Sequence, residues 1–176
     1  MKRAWMTAFS CWILLAGVPA SAEVLDSTPA GVTMQHRYNI DATPAEAWQA
    51  LIHPESWWPQ DHNWSGDSSN MSLAPEAGGC FCEEWDEGSV EHGRVVSAIE
   101  PRLLRFEGAL GPLQEMAVSA VLTVSLEPTR SGTKAVVTYR ISGDGSHAMG
   151  QLAPVVDRVV GQQFGAFAAY ASRDRP

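Results

Sequence analysis

The sequence predicts an α+β domain in which a curved antiparallel sheet of seven strands wraps a long C-terminal helix, with two short helices after the first strand. Three observations predict it. Between 71 and 142 the chain breaks into short strand-like runs at 71–74, 79–85, 90–99, 102–107, 115–127 and 133–142, joined by turns too short for crossover helices. Over 148–172 the apolar residues recur instead at three- and four-residue steps. Ahead of both, Val32, Met34, Tyr38 and Ile40 alternate with Thr33, Gln35, Arg37 and Asn39, the period of a half-buried strand.

Each element has its own signals. His36 falls on the apolar side of the first strand, where a packed or rim histidine is expected. Thr43-Pro44-Ala45-Glu46 supplies a cap, a first-turn proline and a Glu that reaches back, while Ala47, Trp48, Leu51 and Ile52 form one apolar face. His53-Pro54 ends that helix, and Pro54 to Trp58 restarts as a second short one. Residues 59–70 are polar and turn-rich yet carry Trp64 and His62 beside Trp57-Trp58, a cluster that either plugs the core or forms the lip of a pocket. The run around Val118 to Leu126 is apolar on much of both sides, as a central strand would be. In the last helix Leu152, Val155, Val156, Val159, Val160, Phe164, Phe167 and Tyr170 line one face, with Asp157, Arg158, Gln162 and Gln163 opposite.

The 176 residues are 45% apolar and 18% charged, which excludes disorder and suits one domain, here 31–172, because no linker or fixed-period repeat divides it. Residues 1–22 read as a cleaved secretory signal: Lys2-Arg3, a mostly apolar run from Trp5 to Val18, and Ala20-Ser21-Ala22 before the cut. The mature chain is then expected in the periplasm or outside the cell, starting with a flexible lead-in over 23–30. Loss of Lys2 and Arg3 leaves 10 basic against 20 acidic side chains, a balance that argues against nucleic-acid partners. The apolar run is too short for a stable membrane span.

The order of elements and several motifs resemble the SRPBCC (START-like) superfamily, whose helix-grip fold leaves a cavity between sheet and helix. Ile40-Asp-Ala-Thr-Pro-Ala-Glu-Ala-Trp-Gln-Ala-Leu51 is similar to its first helix, and Ala77-Gly-Gly-Cys-Phe-Cys-Glu-Glu-Trp85 to its glycine-led strand. Gly93-Arg-Val-Val96 and Gly132-Thr133 stand where it carries a Gly-x-Val strand and a Gly-Thr hairpin. The resemblance is to the branch of polyketide cyclases/dehydrases and heat-shock ATPase activator homologues, and within it to an uncharacterised bacterial subgroup. It implies the fold but not one chemistry, because the superfamily hosts carriers, receptors and enzymes on the same scaffold. A leader would also place this chain apart from a cytosolic chaperone ATPase.

The hairpin 79–85/90–96 carries the candidate chemistry. With Asp86 to Ser89 as a four-residue loop, Glu83 faces His92 and one face collects Phe81, Glu83, Trp85, Val90, His92, Arg94 and Val96. Glu83 and His92 are then a structural ion pair, a catalytic acid–base pair, or, with His62, a metal set. Cys80 and Cys82 are either two small buried hydrophobes or a disulfide that would need a bulge, since residues two apart on an extended strand lie near the usual Cα limit. No Cys-x-x-Cys, phosphate-cradling glycine loop or Gly-x-Ser-x-Gly elbow occurs, and no cofactor is implied.

The expected function is an exported binder of a small hydrophobic molecule, lipid- or polyketide-like. Its cavity would be lined by Trp57, Trp58, His62, Trp64, Phe81, Trp85, Arg94, Met116, Tyr139 and Phe164. The alternatives are a cyclase/dehydrase-type enzyme using Glu83 and His92, and an interaction module whose cavity is filled by its own side chains. The residues name no protein partner.

Overall fold

The computed structural model describes residues 21–173. Eight strands form one antiparallel sheet: β1 Ser21–Thr28, β2 Gly31–Ile40, β3 Met71–Leu73, β4 Cys80–Trp85, β5 Gly88–Ile99, β6 Leu103–Glu107, β7 Ser119–Pro128 and β8 Thr133–Ser142. Their spatial order is β1-β2-β8-β7-β6-β5-β4-β3. Two α-helices, α1 Pro44–Leu51 and α2 Met149–Ala171, cover the concave side of this curved sheet, the helix-grip arrangement.

α1 starts as its sequence dictates. The Thr43 side chain accepts from the Glu46 amide at 3.3 Å, and the Glu46 carboxylate accepts from the Thr43 amide at 2.8 Å, a reciprocal cap. The expected second helix is a single 3₁₀ turn, Pro54–Ser56. Buried positions alternate along the central strands, with Ala120, Leu122, Val124 and Leu126 on β7 beside Ala135, Val137, Tyr139 and Ile141 on β8. Phe164, Phe167, Ala168 and Ala171 of α2 meet this face.

β2 docks on α2 through polar groups as well as packing. His36 is packed rather than exposed, and its Nε2 lies 2.9 Å from Asp157 Oδ1. Tyr38 donates its hydroxyl to the Gly161 carbonyl at 3.1 Å. Gly161 is required there, because a Cβ would sit 2.9 Å from His36 Cε1.

Two expectations are corrected. Glu23–Thr28 is not a flexible lead-in: with Ser21 and Ala22 it forms β1, which pairs with β2 and raises the strand count from seven to eight. Residues 23–28 are exposed on both faces, so neither burial nor alternation marks the strand in the sequence. The run expected as strand from 115 is 3₁₀ helix over Gly111–Met116, followed by left-handed Ala117, and β7 begins only at Ser119. The predicted leader, residues 1–22, lies outside the described part except for Ser21 and Ala22.

Candidate functional site

A cavity of about 480 Å³ lies between α2, the loop after Trp57 and the Gly111–Met116 turn. Leu110, Leu113, Met116, Val156, Val159 and Val160 give it an apolar wall, and Asp61, His62, Asn63, His92 and Gln163 are its polar lining. Trp64 and Val155, 48% and 58% exposed, stand at its mouth. The hollow is therefore not filled by its own side chains, as a pure interaction module would require.

One buried carboxylate holds the loop in place. Glu83 is 0% exposed and accepts from the Trp64 amide at 3.0 Å, from the Ser65 amide, and from His92 Nε2 at 3.0 Å. Burial alone would push the Glu83 carboxyl up, but the Ser65, Trp64 and His92 hydrogen bonds outweigh it and hold it below its ordinary 4.5. His92 is shifted down from 6.5, because burial outweighs the pull of the Glu83 charge. The pair therefore stands as carboxylate and neutral imidazole at neutral pH. Nε2–H is committed to Glu83, and Nδ1 is left as a bare acceptor.

Both shifts have the same sign for stability. Each group binds fewer protons folded than unfolded, so stability falls as pH drops through 6.5 toward the folded pKa of His92, and falls again below 4.5 for Glu83. The slope is at most about 1.4 kcal/mol per pH unit for each group. Urea denaturation at stepped pH should show the upper decline in the native chain and its absence in His92→Phe.

The hairpin reaches this geometry by another register than the one expected. The connecting loop has two residues, with Trp85 opposite Gly88 and Glu83 opposite Val90. A bulge then places both His92 and Gly93 against Phe81, with the imidazole on the Glu83 side. Gly93 suits the crowded step, since a Cβ would lie 2.6 Å from Phe106 Cδ2. The same bulge turns Arg94 outward, where it binds Glu91 and donates to the Gly78 carbonyl at 3.1 Å. Arg94 is thus removed from the expected cavity lining.

The other expected lining residues divide in two. Trp58, His62, Trp64, Met116 and Tyr139 line the cavity together with His92. Trp57, Phe81 and Phe164 instead close the core, leaving a hollow of only about 10 Å³. Trp57 packs on Phe164 at 5.8 Å between ring centroids, and Trp58 meets Phe81 edge-on at 5.1 Å. Trp85 is half-buried against Gly88 and does not reach the cavity. His62 does not join Glu83 and His92 as a metal set: its Nε2 lies 3.1 Å from Gln162 Oε1, and no metal-holding cluster occurs among the described residues.

Tyr139 fixes the roof. Its hydroxyl donates to the Gly108 carbonyl and accepts from the Leu110 amide, both at 3.0 Å, and burial pushes its phenol far up. Gln163 was expected on the polar face of α2 but is 4% exposed in the cavity wall. Its place three and four residues after Val160 and Val159 is the sequence signal that marks it. Cys80 and Cys82 form a disulfide with Cα atoms 5.4 Å apart, spanning the register shift between Phe81 and Cys82. None of the described helices is long and apolar enough to cross a membrane.

Comparison with known proteins agrees with this architecture. The structure of an Aha1 dimer from Colwellia psychrerythraea superposes with a TM-score of 0.58 at 17% identity, over 82% of this chain and 99% of that one. An uncharacterized protein from Rhizobium leguminosarum gives 0.57 at 17% identity, over 89% and 100%. The di-domain ARO/CYC protein StfQ of the steffimycin biosynthetic pathway gives 0.54 at 12%, over 81% of this chain and 51% of that one. At these identities the likeness shows the fold alone. No curated protein matches the sequence. Residues 41–171, from the turn before α1 to the end of α2, match the family described as activator of Hsp90 ATPase homolog 1-like protein, and the chain belongs to that family.

Proposed function

We propose that the chain is an exported binder of a small, largely apolar molecule, lipid- or polyketide-like, held in the cavity against α2. The cavity carries this reading: about 480 Å³ of space, walled by Leu, Met and Val with a few polar groups, within the roughly 300–1,000 Å³ usual for small-molecule sites. Export rests on the leader, and cleavage after Ala22 would leave Glu23–Thr28 of β1 to pair with β2. N-terminal sequencing of the chain from its own cells should begin at Glu23.

The neutral dye N-phenylnaphthylamine tests the binding. Its fluorescence should rise on addition of the native chain, and Val159→Trp, which puts an indole into the cavity wall, should weaken it at least about tenfold. Equal binding by both proteins would place the dye elsewhere and remove the reading.

The Glu83–His92 arrangement favours a second reading, cyclase/dehydrase-type proton transfer. An ionised carboxylate holding Nε2–H leaves Nδ1 to take a proton, as in a general base, with Glu83 as a positioning residue that has no exposed surface of its own. A bound β-hydroxyketone should then exchange its α-protons for deuterium with the native chain and not with His92→Ala. Exchange at the buffer rate with both proteins would leave binding as the function.

A further inference from the structure

We propose that the cavity selects neutral, hydroxyl-bearing apolar molecules, with hydroxyl groups donating to His92 Nδ1 and exchanging a hydrogen bond with the Gln163 amide. The inference rests on the binding function above and names the class of guest.

The polar wall of the cavity supports it group by group. Gln163 is 4% exposed, yet its Oε1 has no hydrogen-bond partner. Asn63 spends Oδ1 on the Gly66 amide at 2.7 Å, while its buried Nδ2 is also unpartnered. A buried amide left this way is costly, so a guest that supplies the missing partner gains what the free protein forgoes. His92 adds an acceptor, because its Nε2–H is held by Glu83.

These groups do not match a charged head. Among the residues lining the cavity the one formally charged side chain is Asp61, and neither lysine nor arginine faces it. A carboxylate or phosphate would lose its hydration without gaining a counter-charge, and would face the bare Nδ1 lone pair. A hydroxyl both donates and accepts. It can therefore give its hydrogen to His92, or meet whichever end of the Gln163 amide faces it. A guest with no polar atom would leave all three groups unpaired.

Calorimetric titration with three matched probes tests this: para-hydroxybiphenyl, biphenyl and biphenyl carboxylate at neutral pH. The proposal expects the hydroxylated probe to bind about tenfold more tightly than either of the others. In Gln163→Leu that preference should fall to within about threefold, while biphenyl binds as it does to the native chain. N-phenylnaphthylamine binding would show that the variant keeps its cavity. Three probes of equal affinity, or a preferred carboxylate, would overturn the hydroxyl selectivity and leave the cavity as a binding site. Failure of all three probes and of the dye would overturn the binding function itself.

Discussion

Replacement of Glu83 by alanine should destabilise the protein by about 3–5 kcal/mol, since each buried donor left without an acceptor costs about 1–3 kcal/mol. Three donors lose their acceptor at once: the Trp64 amide, the Ser65 amide and His92 Nε2. None can turn to water while the fold stays closed, because the carboxylate they surround has no exposed surface. Glu83→Gln should recover only part of the loss. It keeps one acceptor oxygen but turns an NH₂ group toward a donor. Urea denaturation gives the stability, and hydrogen exchange at the Trp64 and Ser65 amides should accelerate more than exchange at β7 and β8. Uniform acceleration would mean that Glu83 supports the whole fold rather than the loop.

The second large effect is expected at Trp58, which lines both the core hollow and the cavity. It is 4% exposed, donates its indole N–H to the His62 carbonyl at 2.8 Å, and packs against Phe81, His92 and Phe164. Trp58→Ala should cost about 3–5 kcal/mol, since the remaining rings are fixed by their own contacts and cannot collapse into the gap. The same change merges the cavity with the core hollow and frees the loop at His62. N-phenylnaphthylamine binding should weaken by about tenfold or more. A stable variant with native binding would show that Trp58 is a surface cover only.

Most of the scaffold was legible because its signals are local. The Thr43–Glu46 cap, the alternation along β2 and the apolar stripe of α2 each show themselves within a dozen residues. What escaped depends on contacts between distant segments. Residues 23–28 of β1 have no buried face to imprint a pattern, and the strand's position follows from pairing with β2. The bulge at His92 and Gly93 adds one residue against Phe81, so an expectation of ideal pairing placed Arg94 on the cavity side.

The Glu83–His92 pair was found in spite of that error. The actual two-residue loop shifts the register by two, which preserves the faces, and the bulge comes too late in the strand to turn the imidazole away from the carboxylate. What the sequence could not show was the further work of Glu83. Its bonds to the Trp64 and Ser65 amides come from backbone donors that any residue type would supply. Gln163 escaped for a related reason: a polar residue at the border of a helical stripe belongs to either face until the loop opposite is in place.

The most direct test is native mass spectrometry of the chain purified from the cells that make it, beside Val159→Trp prepared in the same way. The account predicts one small neutral molecule per native chain, released on mild activation and missing from the variant. A bare native chain, or the same adduct on both proteins, would contradict a guest held between α2 and the loop that Glu83 anchors.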